Sequence, residues 1–125
     1  MRMALLVALG GGIGSVVRWL VQVVANRLAP GSAFPWGTLA VNVAGSFAIG
    51  LLMTLALERV LVSNELRGFL VTGVLGGFTT FSAFSWESLA LLRDGQWPAA
   101  LAYVGGSLVA GLAAAFAGAA VAARM

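Results

Sequence analysis

Cysteine, histidine and lysine do not occur anywhere in this 125-residue sequence. Without cysteine there is no disulfide, no thiolate nucleophile and no sulfur-held metal. Without histidine the ordinary zinc, iron and copper sites, the histidine-based catalytic triads and the imidazole switch near neutral pH all fall away. Carboxylates are nearly as scarce: Glu58, Glu65, Glu87 and Asp94 are the only ones, and Glu58 and Asp94 adjoin arginines in stretches that read as loops or helix ends. This inventory argues against an enzyme. Charge of either sign is also short, at 9% of residues against 61% hydrophobic, whereas about a quarter of the residues of a soluble domain are charged. Lipid must cover much of the outside. The net charge of +3 comes from seven dispersed arginines, which form no basic patch and argue against a nucleic-acid partner.

What the sequence has in abundance is long apolar runs. A hydrocarbon layer of about 30 Å takes roughly 20 helical residues to cross. Four runs qualify, giving one domain over residues 1–125 with spans at about 3–24, 36–57, 66–92 and 98–123. Pro35 and Pro98 stand where they open the second and fourth helices. The first run, with Arg2 ahead of it, imitates a signal peptide, but further apolar segments follow it rather than a polar mature domain, so it reads as the first span. These segments are too long and too evenly apolar for the alternating strands of a barrel. An all-α membrane protein of four transmembrane helices is expected, with both termini on one side. Arg2, Arg59, Arg67 and Arg124 fall on that side, and Arg27 and Arg93 on the other, with Arg18 ambiguous. So slight a bias fits either a weakly oriented protein with cytoplasmic termini or one that inserts both ways and pairs antiparallel.

The 17 glycines include two pairs at close-packing spacing, Gly10 with Gly14 and Gly73 with Gly77, which let helix backbones approach in lipid. In the third run, Gly76-Gly77-Phe78-Thr79-Thr80-Phe81-Ser82-Ala83-Phe84-Ser85 sets paired glycines before paired threonines, a combination that weakens a helix in mid-membrane. The third helix is therefore expected to break there. A break frees backbone groups for an ion; the alternative is a kink repaired by the Thr and Ser hydroxyls. Phe78, Phe81 and Phe84 then recur beside Ser82, Ser85 and Ser88, an aromatic stripe next to a hydroxyl stripe. Phenyl rings have positive edges that can face a dehydrated anion, although plain packing is their commoner use.

Two further polar stripes run along helix faces: Thr38, Asn42 and Ser46 in the second span, and Tyr103 and Ser107 with Gly111 beyond them in the fourth. The Asn42 carboxamide can donate to an anion or make an ordinary interhelical hydrogen bond. Arg18 and Glu87 are the ionisable residues placed inside spans, which marks them as functional candidates. Arg18 can snorkel to the interface or anchor loops at a vestibule; Glu87 can pair with an arginine or sit in a watery vestibule. A lining of Asn, Tyr, Ser and Phe-edge donors suits a small anion.

Together these residues resemble the Fluc/CrcB family of small fluoride channels. The likeness runs through Gly-x-Gly-x-x-x-Arg-Trp at Gly12–Trp19, Trp-Gly-Thr-Leu-x-Val-Asn at Trp36–Asn42, the Gly76–Ser85 block continuing to Glu87, and Tyr103 with Ser107. The resemblance implies a bacterial inner-membrane, dual-topology antiparallel homodimer with two pores that pass fluoride out of the cytoplasm. It implies that Asn42, Phe81, Phe84, Tyr103 and Ser107 line each pore. Thr38, Ser46, Ser82, Ser85, Gly111, Arg18 and Glu87 are further pore or vestibule candidates. A structural sodium ion at the dimer centre is implied as well, held by the main-chain carbonyls of Gly76 and Thr79 from both copies. Gly111 stands where some members carry another hydroxyl. Two other readings compete. A small multidrug exporter needs a proton-coupled carboxylate in the first span, and residues 3–24 have none. A non-conducting structural protein leaves the in-register Asn, Phe and Tyr stripes without a use.

Overall fold

A computed structural model describes residues 1–57 and 62–125 of the chain. Glu58 and Arg59, to which the sequence assigns a loop and one end of the bundle, lie outside the described residues. Every regular element among the described residues is helical: α1 (Arg2–Leu28), α2 (Trp36–Leu57), α3 (Asn64–Arg67), a π-helix (Gly68–Leu75), α4 (Gly76–Phe78), α5 (Phe81–Arg93) and α6 (Trp97–Ala123). From α3 to α5 the chain makes one interrupted span, Asn64–Arg93, so four helices are long and apolar enough to cross a membrane.

Local chemistry explains where the elements begin and end. Pro35 precedes α2, and its carbonyl accepts the Leu39 N–H at 3.1 Å, so its missing N–H is no loss there. Pro98 stands in the first turn of α6 for the same reason. At the far end of α5 the Gly95 N–H bonds the Leu92 carbonyl and the Gln96 N–H the Leu91 carbonyl. With Gly95 at φ +72°, this is the paired C-terminal lock that favours glycine in the left-handed region. α2 matches its apolar run, while α1 exceeds its own. α1 continues to Leu28, about four residues past the expected end, because Asn26 and Arg27 hydrate in the headgroup layer while the helix keeps its backbone bonds.

The π-helix is a departure from the plain helix expected after residue 66. Its wide turns carry no sequence signature. It lies against α1, where Gly10 and Gly73 touch backbone to backbone, a Cβ on Gly14 would strike the Val74 carbonyl, and one on Gly77 the Gly11 carbonyl. The two glycine pairs thus form one zipper. α2 pairs with α6 in the same manner: Gly50 rests on the Ala115 carbonyl and Gly118 on the Phe47 carbonyl.

The interior is small, centred on Val41, Tyr103, Leu91 and Ala100. Large apolar side chains face outward instead, and α6 alone exposes Leu101, Leu108, Val109, Leu112 and Phe116. Such continuous apolar cover belongs in lipid or against another protein. The chain is a multi-pass membrane protein.

Candidate functional site

The third span is interrupted at Thr79 (φ −81°, ψ 157°) and Thr80 (φ −152°, ψ 118°). Both are extended, the conformation that β-branched residues accept readily. The break thus falls within the expected block, on its threonines: Gly76 and Gly77 remain helical, and a Cβ on Gly77 would strike the Gly11 carbonyl of α1. Every broken bond near the gap needs a substitute. The Thr79 N–H and its hydroxyl both donate to the Leu75 carbonyl, at 2.9 Å each. Thr80 restarts the chain as the N-cap of α5, its hydroxyl accepting from the Ala83 N–H at 3.2 Å and meeting Ser82 Oγ at 3.3 Å.

Two side chains from other helices splint the gap. Asn42 grips the Thr80 peptide with both ends of its carboxamide, Nδ2 donating to the Thr80 carbonyl at 3.1 Å and Oδ1 accepting the Thr80 N–H at 2.8 Å. In an unbroken helix that N–H would bond the Gly76 carbonyl. Asn42 thus makes the interhelical bond, and its second Nδ2 proton remains for a ligand. Arg18 follows Gly10 and Gly14 on one face of α1, at steps of four residues. The glycines bring the backbones together, and Arg18 Nη1 reaches the Thr79 carbonyl at 3.2 Å. Beside snorkelling and loop anchoring, the two uses open to Arg18 from the sequence, the structure shows this third contact, to the gap of the broken helix.

Among the described residues Glu87 pairs with no arginine: Thr38 Oγ1 donates to Oε1 and the Tyr103 hydroxyl to Oε2, both at 2.7 Å. Thr38 and Tyr103 are among the most deeply buried side chains of the chain. One hydroxyl from each of two polar stripes, Thr38 of α2 and Tyr103 of α6, is thus tied to this carboxylate of α5. Phe84 stacks on Tyr103 with ring centroids 5.2 Å apart, and Phe34 meets the same ring edge-on at 5.6 Å.

Beside the break lies an open pocket of about 380 Å³. It brings together Asn42, Ser46, Gly76, Thr79, Phe81, Phe84 and Ser107 from the sequence-derived set. Phe81 is 79% exposed and stands 5.5 Å from the Phe84 ring. Ser107 Oγ is buried and is the one such side-chain atom among the described residues with no hydrogen-bond partner. Other hydroxyls turn back on their own helices: Ser46 donates to the Asn42 carbonyl, Ser85 to that of Phe81, and Ser88 to that of Phe84. Ser82 and Ser85 face outward, and with Thr38, Tyr103, Arg18 and Glu87 they do not line the pocket. Gly111 stands beside Ser46, whose hydroxyl is 3.5 Å from where a Cβ would sit. Sequence reasoning missed the apolar walls Val71, Leu75 and Leu108, and missed Thr80 as the hub of the break; the capping pattern of Thr80 ahead of a fresh helix was the available signal.

Comparison with known proteins agrees with this architecture. The family model for CrcB-like protein, Camphor Resistance (CrcB), matches residues 5–119. The "Fluoride-specific ion channel FluC" of Agrobacterium fabrum is 58% identical over 113 residues, covering 90% of each chain. The protein of the same name from Rhizobium meliloti is 53% identical over 114 residues, 91% of this chain and 90% of its own. That of Thermus thermophilus is 56% identical over 115 residues, again 91% and 90%. Matched along nearly its whole length, and through every element that builds the break, the chain belongs to the CrcB family.

Proposed function

We propose that this chain is a passive, fluoride-selective channel of the bacterial inner membrane, working as an antiparallel homodimer with two pores. The observation that carries the reading is the buried, unpartnered hydroxyl of Ser107, a residue that lines the pocket at the break together with Phe81 and Phe84. A buried donor without an acceptor is disfavoured in lipid, and an anion passing the pocket would supply the acceptor. The spare Nδ2 proton of Asn42 and the positive edges of the rings point the same way, and so do relatives named as fluoride channels at more than half identity.

The pocket is open on one side, and Phe81 is largely uncovered. A second copy packed antiparallel would close it and give each pore a wall from either subunit. A sodium ion fits the same reading. The Gly76 carbonyl has lost its helical donor to the Asn42 bond, and bare carbonyls suit a hard cation. The Thr79 carbonyl keeps a lone pair beyond its bond to Arg18. Gly76 and Thr79 of two copies would hold the ion, whose charge would neutralise the converging carbonyl dipoles. Among the described residues no cluster of acidic side chains offers an alternative metal site.

Transport needs no energy input. Hydrogen fluoride enters cells as the neutral acid and ionises inside, and the negative-inside potential then drives the anion out with about 2.3 kcal/mol per 100 mV. The test is efflux from liposomes carrying the purified protein, with a potassium ionophore balancing charge and chloride followed in parallel. Rapid fluoride release without chloride release is expected; release of neither ion from a well-folded dimer would overturn the reading.

A further inference from the structure

A second groove, of about 460 Å³, lies at the end of the bundle where α1 begins, α2 ends and the third span begins. Asn64 and Arg67 line it where the third span begins, and the rest of its wall is mainly apolar, with Met3, Val7, Met53 and Val71 beside Gly68 and Thr72. Asn64 opens the third span while Thr72 lies eight residues deeper along it, roughly 12 Å at 1.5 Å per residue. The groove therefore runs from the headgroup layer into hydrocarbon. Arg67 makes no ion pair or side-chain hydrogen bond with the described residues, and Glu65, its nearest acid in the chain, lies off the groove.

We infer that this groove is a binding site for one anionic phospholipid, its phosphate on Arg67 and Asn64 and an acyl chain along Met53, Val7 and Val71. A guanidinium offers a phosphate two parallel donors, and basic pockets between membrane helices are the usual form of headgroup recognition. A volume of several hundred cubic ångströms is in the range of built ligand sites. Lipid that merely surrounds a protein has no need of an arginine beside an apolar slot. The site also touches the pocket at the break: Val71, on the π-helix, lines both cavities. An acyl chain held there would press on the segment that leads into Thr79 and Thr80.

The experiment is thermal unfolding of the purified full-length protein in detergent, with phosphatidylglycerol, phosphatidylcholine or inorganic phosphate added, and native mass spectrometry to count retained lipid. Phosphatidylglycerol is expected to raise the midpoint by a few degrees and to stay bound, since a ligand that favours the folded state stabilises it by mass action. Arg67→Gln should abolish most of that shift, Arg67→Lys should retain part of it, and Arg93→Gln, which removes an arginine remote from the groove, should leave it whole. Equal shifts from phosphatidylglycerol and phosphatidylcholine, or a full shift in Arg67→Gln, would overturn the site. A shift from inorganic phosphate alone would replace the lipid with a free anion. Loss of dimer mass in Arg67→Gln would mean that a second copy covers the groove.

Discussion

Asn42 shows how much one side chain can carry in a membrane. Its oxygen and one of its amide protons hold the backbone of Thr80, and the residue lines the pocket. Asn42→Asp keeps the acceptor, removes the donors and brings a negative charge to the anion path. Two like charges about 4 Å apart repel by roughly 4 kcal/mol at a near-surface dielectric, so fluoride efflux is expected to fall by more than about 100-fold. Undiminished efflux in liposomes would remove Asn42 from the pore. Tyr103 acts differently, since its only proton goes to Glu87. Tyr103→Phe is expected to lower stability by about 1–3 kcal/mol, read as a lower thermal midpoint, by leaving that carboxylate with Thr38 alone. An unchanged midpoint would show that the Thr38–Glu87–Tyr103 link does not hold the fold. The sequence named all of these residues, but spacing along one helix could not say that Glu87 would take the hydroxyls of two others.

At the scale of the element, glycines and threonines divide the labour. Glycine allows α1 and the third span to touch, and threonine accepts the extended geometry of the gap. Gly14→Ala would drive a methyl group into the backbone around Val74 and Phe78, and overpacking of this sort typically costs about 1–3 kcal/mol. Gly12→Ala meets no atom within 4 Å and gains helix propensity worth up to about 1 kcal/mol. The thermal midpoint is therefore expected to drop in the first variant and to hold or rise in the second. Equal behaviour would mean that the zipper does not bear on stability. Both glycine pairs were legible as packing motifs from their spacing. That they mesh with each other, and so carry Arg18 to the Thr79 carbonyl, was not legible, because spacing is silent about which helix lies opposite.

At the scale of the whole molecule, the proposed second copy would cover an exposed Phe81 and an open pocket. Phe81→Ile and Phe84→Ile keep apolar bulk and remove the positive ring edge, so efflux should fall while the dimer persists; a normal rate in both would sink the aromatic lining. Topology is testable because the sequence has no cysteine. Ala33→Cys, in the exposed turn between α1 and α2, should react with an impermeant maleimide from either face of the membrane in about equal shares if the chain inserts both ways. Labelling from one face only would exclude the antiparallel pair. Composition and run length by themselves determined the class of protein and the number of spans, because water-to-lipid transfer and backbone satisfaction leave a chain this apolar few alternatives, and the Gly76–Thr80 order marked the region of the break. Tertiary structure alone decided where the helix parts, which helix splints it, that Arg18 and Glu87 are satisfied without each other, and that Ser46 stands beside Gly111. Those outcomes depend on which polar atom lies nearest to another across helices, a distance that residue order along one helix does not contain.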